Sequence, residues 1–406
     1  MTDVSIILRI AKFTIKLLNT VYHMKSRKLI MLPGPTNVPD RVMNAMLTPV
    51  MGHRTPDFAN VIKNISEKSK QVFQTSGDVV LFTASGTGGV EAAITNIIKK
   101  GDKAIVTNYG EFGERAGHMV EGAGGILIKA DAAFGDAPRI SQLEEAFEKN
   151  KNIKALVIVT NETSTGTSFK WLKQAGDLAS KHGSFLILDA VSGLGGDDIP
   201  VDKIGADVVA TASQKCLAAP AGLALVSLSE KAKKYVVNNP PPLLYFNISR
   251  QLKYLETGQT PFTPALPIYH ALDEALTMVL EEGIQKRIKR HEICADAFYS
   301  SFKSMGLELF AKKDVRSNTV IAATYPSNVD DKQFREDLDK QYRVVIAGGF
   351  GSYKGKIFRV GSMGEVNNYH VITTISAINQ TLNAMTGKLT KKDPLEIAKS
   401  RLNNLQ

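Results

Sequence analysis

The chain has 406 residues, 43% hydrophobic and 22% charged, enough to fill one large domain and a smaller one with ample core. Its formal net charge of +10 comes from Lys and Arg scattered among acids with no aromatic-flanked basic stripe, which speaks for a solvated surface and against a nucleic-acid partner. Two distant cysteines, Cys216 and Cys294, exclude a disulfide framework and a cysteine-bound zinc, and the histidines lack metal-ligand spacing; a reducing cytoplasm and no metal are expected.

Residues 4–21 are apolar but interrupted by Arg9, Lys12 and Lys16, which fall on one helical face opposite Ile6, Ile10, Phe13 and Leu17. This predicts a basic amphipathic helix rather than a transmembrane span, and no small-residue cleavage site follows it. It reads as an appended helix or an extension ahead of Met24; contact of residues 4–21 with a membrane surface or a partner is the alternative. The expected organisation is an extension over 1–28, a large domain over 29–280, a small one over 281–387 and a polar tail over 388–406.

From Leu32 onward, short apolar runs alternate with amphipathic helices, the pattern of an α/β protein with a mostly parallel sheet. The run 79–84 (VVLFTA) is the first clear strand and 89–100 the helix after it. AIVTN, ILIKA, ALVIVT and FLILDA repeat the theme, with helices over 141–149 and 171–182. DVVATA and LALVSLS are separated by a loop too short for a crossover helix, so that pair is expected to be antiparallel. One long helix is expected from 269 towards 304, weakened at Gly283 and holding the domain boundary. TVIAATY, VVIAGGF and KIFRVGSM then form strands of the small domain.

Open parallel sheets bind ligands beyond the carboxyl ends of their strands, which singles out four places. Ser85-Gly86-Thr87-Gly88-Gly89 joins a strand to a helix, and its backbone N–H groups and hydroxyls suit a phosphate. The same composition serves any tight strand-to-helix turn. Asp189 ends a buried apolar strand, where a carboxylate must be paired; a protonated ring nitrogen would pair it, and so would a capping role. Lys215 sits in a short connection between two apolar strands, a place where a lysine is either held and partly desolvated into a nucleophile or merely solvated. Arg359 lies in an alternating strand and either faces solvent or offers a planar fork to a carboxylate.

A phosphate turn, then a strand-end Asp, a Ser-x-Lys loop and a late Arg form the order found in fold-type I pyridoxal-phosphate enzymes. Through LPGPTNVP, FTASGTGGVEAA, NETSTG, LDAVSGLGG, SQKCLAAPAGLAL and GGFGSYKGKIFRVG, the chain resembles class V aminotransferases. Within that class it looks most like the serine:pyruvate and alanine:glyoxylate enzymes, from Leu32 to about Thr386. The resemblance implies a seven-stranded, mostly parallel sheet in a large domain with a smaller α+β domain, and pyridoxal 5'-phosphate as cofactor. It implies Lys215 as the Schiff-base lysine and Asp189 on the pyridine nitrogen. Ser85, Gly86, Thr87 and Gln214 would surround the phosphate, Phe112 would lie on the ring face and Ser164 near the ring hydroxyl. Arg359 would hold the substrate carboxylate, and Gly34, Pro35 and Thr36 would close the pocket. It further implies a homodimer with the active site at the subunit interface, Thr263 reaching the partner's phosphate site. Thr87 and Phe112 depart from the histidine and tryptophan of many relatives.

The expected reaction moves an amino group from serine or alanine to pyruvate or glyoxylate by a ping-pong route through Lys215. Phosphoserine transamination would need further cations for the substrate phosphate, and cysteine desulfuration a mobile exposed cysteine. A non-enzymatic membrane-associated protein, anchored by the basic helix, is the rival from another class.

Overall fold

A computed structural model describes residues 28–387 and 393–405. The predicted basic helix over 4–21 lies outside the described residues, as does the stretch 388–392. In chain order the strands of the first half are β1 (Leu29–Ile30), β2 (Asp78–Thr83), β3 (Lys103–Asn108), β4 (Ile126–Asp131), β5 (Ile153–Val159), β6 (Asn161–Glu162) and β7 (Thr167–Ser168). They continue with β8 (Phe185–Asp189), β9 (Val208–Ala212), β10 (Leu223–Leu228), β11 (Val320–Thr324), β12 (Val344–Val345), β13 (Ala347–Gly348) and β14 (Ile357–Gly361).

Seven of these form one sheet in the order β2-β10-β9-β8-β5-β3-β4. Except on the edge strand β4, where Ile126 is exposed and Leu127 and Ile128 are half-buried, their Val, Ile, Leu and Ala side chains are buried on both faces, as expected where helices cover a parallel sheet on each side. The pairs among β3, β4, β5, β8 and β9 are parallel, and β10 runs antiparallel to both β9 and β2. The reversal follows from the short connection 213–222, which cannot return to the start of the sheet. That connection is therefore a loop stranded at the carboxyl ends of the parallel strands.

The segments that leave β2, β3, β5, β8 and β9 converge at the same edge. Helix Gly86–Ile97 begins immediately after β2, with Ser85 as its N-cap accepting from Gly88 N at 3.4 Å. Helix Glu111–Gly122 begins after β3 on Gly110, which has no side chain to cap it.

A second apolar core gathers Phe298, Phe302, Phe334, Phe358, Val371 and Ile375, and it includes Met31 from the start of the described chain. Its sheet is β11-β14-β13, antiparallel throughout. The long helix expected over 269–304 is two helices, Leu266–Glu282 and Ile284–Ser304, broken at Gly283, whose φ of 84° is left-handed and needs no Cβ. The VVIAGGF run, expected as one strand, divides: β12 pairs in parallel with β1, and β13 pairs with β14. Within the polar stretch after Lys388, Pro394–Leu402 forms a helix capped by Asp393, which accepts from Leu395 N at 2.9 Å. It buries Ala398 and Leu402 in the second core.

Candidate active site

Lys215 lies two residues beyond Ser213, whose hydroxyl holds the loop by donating to Pro220 O at 2.6 Å and accepting from Leu223 N at 3.2 Å. The lysine amine donates to the carbonyl of Pro33, so the loop before Thr36 covers it. Thr36 closes the contact from the other side, its N–H donating to Gln214 O at 3.2 Å and its hydroxyl to Lys215 O at 3.4 Å. Gly34 has a φ of 95°, and a Cβ there would stand 2.5 Å from Lys215 Nζ. A side chain at Gly34 would displace the amine, which is the physical reason for glycine in LPGP. Burial pulls the Lys215 ammonium down to about 8; the carboxylate of Asp189 works against that shift, and the cations Arg359 and Arg115 add to it.

Asp189 is 8% exposed at the end of β8 and accepts from Val191 N at 3.0 Å. Burial pushes its carboxyl up to about 6, opposed by that N–H and by the charges of Lys215 and Arg115. Asp189 shares a narrow cavity with Thr87, Phe112, Arg115 and Val191. Arg115, one helical turn beyond Phe112, places its guanidinium 4.7 Å from the Phe112 ring centroid and donates to Thr87 Oγ1 at 3.3 Å.

The helix carrying Phe112 is capped from far away. Both oxygens of Glu162 are used: Oε2 accepts from Phe112 N and Gly113 N at 3.1 Å each, and Oε1 accepts from Ser164 N at 3.0 Å and the Ser164 hydroxyl at 2.5 Å. Burial pushes the Glu162 carboxyl up while those donors and the helix end pull it down. Ser164 also accepts from Glu111 N at 3.1 Å, so its hydroxyl proton is committed to Glu162.

Arg359 on β14 is 4% exposed. Its Nε donates to Gly348 O at 2.8 Å and its NH1 to Thr163 O at 2.9 Å, while the Phe350 ring lies 4.4 Å from the guanidinium carbon. Burial pulls it down to about 10, against the pull of Glu162, so it stays a cation at neutral pH. The fork is thus fixed by two backbone bonds and one aromatic face, with further N–H donors remaining.

The residues of the phosphate turn fit the cofactor implied by the sequence. Ser85 and Thr87 are exposed at the start of helix Gly86–Ile97, and a Cβ on Gly86 would stand 2.9 Å from Ala212 Cβ and Val191 Cγ1. The turn therefore packs on the ends of β8 and β9; Gly88 N and Gly89 N donate to Ser85, and the start of the helix with the Ser85 and Thr87 hydroxyls suits an anion. Gln214 Oε1 is buried without a hydrogen-bond partner; an amide oxygen cannot donate to a phosphate, so Gln214 would serve that group only through its Nε2. Thr263 is exposed on a segment tied to the end of β2, through Ala265 N donating to Thr83 Oγ1 at 3.4 Å and Phe262 stacking on Tyr245. It does not join the Lys215 group within this chain. Cys216 and Cys294 are buried thiols pushed up to about 12 by burial, unlike the exposed cysteine that desulfuration needs.

Sequence reasoning missed Glu162, Arg115 and Phe350. Glu162 stands within the quoted NETSTG segment and Phe350 within GGFGSYKGKIFRVG, while Arg115 has a helical signal through its spacing from Phe112.

The family model described as aminotransferase class-V matches residues 32–361. An uncharacterized aminotransferase of Methanocaldococcus jannaschii is 43% identical over 378 residues, spanning 93% of this chain and 98% of that protein. A serine–glyoxylate aminotransferase of Methylorubrum extorquens is 34% identical over 88% of this chain and 91% of its own length. Among solved structures, the ureidoglycine–glyoxylate aminotransferase of Bacillus subtilis matches with a TM-score of 0.88 at 28% identity, covering 93% of this chain and 98% of that one. The strand order, the two cores and these likenesses agree: the chain belongs to the class V aminotransferases and has their pyridoxal-phosphate-dependent fold.

Proposed function

We propose that the protein moves an amino group from a small amino acid, serine or alanine, to a small 2-oxo acid, glyoxylate or pyruvate, in a ping-pong cycle through Lys215. One observation carries this reading: a desolvated amine, a buried carboxylate and a fixed guanidinium fork meet at the carboxyl ends of the sheet. Glyoxylate occurs in the names of the Methylorubrum and Bacillus relatives, which favours it as acceptor.

Pyridoxal phosphate, when bound, supplies an electrophilic aldehyde and a cationic ring able to take up the electron pair left on the substrate's α-carbon. Ser85, Thr87, Gln214 and the amides opening helix Gly86–Ile97 hold its phosphate, while Asp189 keeps the proton on the ring nitrogen. Phe112 offers a ring face. Arg359 binds the substrate carboxylate and so orients the α-proton. Lys215 Nζ would remove that proton and carry it across the amino nitrogen to the carbon on its other side, a 1,3 transfer suited to an amine poised near neutral pH. The loop Gly34, Pro35 and Thr36 covers Lys215 and excludes water. A homodimer completes the site, Thr263 reaching the partner's phosphate cradle.

The first test is a visible spectrum of the cofactor-loaded protein before and after L-serine, L-alanine or phosphoserine. Loss of the lysine-bound cofactor's band with serine or alanine, restored by glyoxylate or pyruvate, supports the reading. Bleaching by phosphoserine alone rejects the substrate assignment. Two further results are expected. Apoprotein reconstitution should accelerate with rising pH around a midpoint near 8, because the neutral amine is the nucleophile; an ordinary lysine would place it near 10.5. Arg359→Lys should raise KM for the amino acid by about 10- to 100-fold with a smaller loss in kcat, since an ammonium cannot reproduce the fork.

A further inference from the structure

We propose that Arg287 is a positioning residue for the reaction: it fixes the backbone that aims Lys215 and ties it to the turn following the strand of Arg359. The inference rests on the assignment of Lys215 above.

Arg287 is 5% exposed on helix Ile284–Ser304, in the second half of the chain. Its NH2 donates at 2.6 Å to the carbonyl of Cys216, the residue after Lys215, and at 3.3 Å to the carbonyl of Gly364, just beyond β14. Its NH1 is held by Glu282 Oε2 at 2.6 Å. Glu282, the last residue of the preceding helix, also takes Arg290 Nε at 2.6 Å, and Arg290 NH2 reaches the same Gly364 carbonyl at 3.2 Å. His291 completes the clamp. Its Nε2 accepts from Gly364 N at 3.1 Å, so the ring proton lies on Nδ1 and is donated to Arg287 O at 2.7 Å.

The two backbone segments also touch directly. Gly364 has a φ of 70°, and a Cβ there would stand 3.1 Å from Lys215 O and from Thr36 Oγ1. A buried guanidinium is a costly way to glue such segments, because desolvation offsets much of its ion pairing, and an apolar side chain of similar volume would often do as well. The Nε of Arg287 is moreover buried without a partner. What the guanidinium provides and an apolar side chain cannot is direction: a fork anchored by Glu282 that sets the distance between two carbonyls. One of those carbonyls adjoins Lys215, and the other terminates the segment that carries Arg359. Arg287 touches neither reacting group and acts through the backbone, so the effect belongs on proton transfer rather than on substrate affinity.

The test compares the cofactor-loaded wild type with Arg287→Met and Arg287→Lys. In the wild type, borohydride reduction followed by peptide mass spectrometry should place the pyridoxyl group on Lys215; a label elsewhere overturns the assignment of Lys215 itself, independently of Arg287. With the label on Lys215, Arg287→Met should lower kcat by about 30- to 100-fold, the scale expected of a misplaced catalytic group, with KM changing less than about threefold. The pH midpoint of the visible band, read without substrate, should move by about one unit. Arg287→Lys keeps a buried cation, so it tests the inference even if Arg287→Met does not fold. A single ammonium cannot hold Glu282 and both carbonyls in one geometry, and an intermediate loss of about 5- to 10-fold in kcat is expected. A reduced melting temperature with wild-type kcat and band midpoint in a folded variant would show that Arg287 is structural, and overturns the inference.

Discussion

Lys215→Ala is expected to abolish transamination, lowering kcat by at least about 10⁴-fold, because one side chain both bonds the cofactor and carries the α-proton. The variant should fold normally. The Lys215 amine is buried against Pro33 and Gly34, and its removal relieves a desolvated cation rather than opening an apolar core. The result is checked by half-reaction kinetics with serine and alanine, together with the circular dichroism of the apoprotein. Turnover near the wild-type rate would reject the assignment of Lys215.

Asp189→Asn should act in opposite directions on activity and stability. Loss of the anion facing the ring nitrogen weakens the electron sink and is expected to cost about 10²- to 10³-fold in kcat. The apoprotein, by contrast, should become more stable at pH 7. Burial raises the folded-state pKa of Asp189 from 3.8 to about 6, so between those values the native state binds more protons than the unfolded chain. Stability therefore declines as pH rises through that window, and the penalty is fully present at pH 7. Its removal is worth about 1–3 kcal/mol on this shift. Melting curves of the two apoproteins should differ at pH 7 and converge towards pH 4. A destabilised Asp189→Asn apoprotein at pH 7 would contradict the desolvation argument.

The sheet was largely legible in the sequence because its signals are local. Apolar runs of strand length identify β2, β5, β8 and β9, and the brevity of the 213–222 connection alone dictates that β10 runs backwards. The positions of the candidate residues Asp189 and Lys215 at those strand ends were legible for the same reason: both interrupt apolar patterns. Features set by tertiary contact were not. Glu162 caps a helix fifty positions upstream of it, and no window around Gly110 reveals that the missing cap arrives from β6, beyond the end of β5. Arg287 sits in IQKRIKRHE, a charge-rich run that reads as a solvated helix face, yet it is buried because the turn at Gly364 packs over it. The split of VVIAGGF was hidden because both halves are apolar, and what separates them is a change of partner from β1 to β14.

The pairing of β1 with β12 bears on how such enzymes can be recombined. Leu29 and Ile30 precede the loop that covers Lys215, yet they pair in register with Val344 and Val345, Leu29 N donating to Arg343 O and Met31 N to Val345 O at 2.8 Å each, and Met31 belongs to the second core. The carbonyl of Met31 further accepts from Gly361 N, at the end of the strand carrying Arg359. The loop over Lys215 and the strand of Arg359 thus form one structural unit whose pieces lie far apart in the chain. A chimera that grafts residues 28–38 from a relative imports one half of a strand pair and leaves the other half native. The compatible exchange takes 28–38 together with 284–386, which needs two junctions, one after residue 38 and one at the helix break of Gly283.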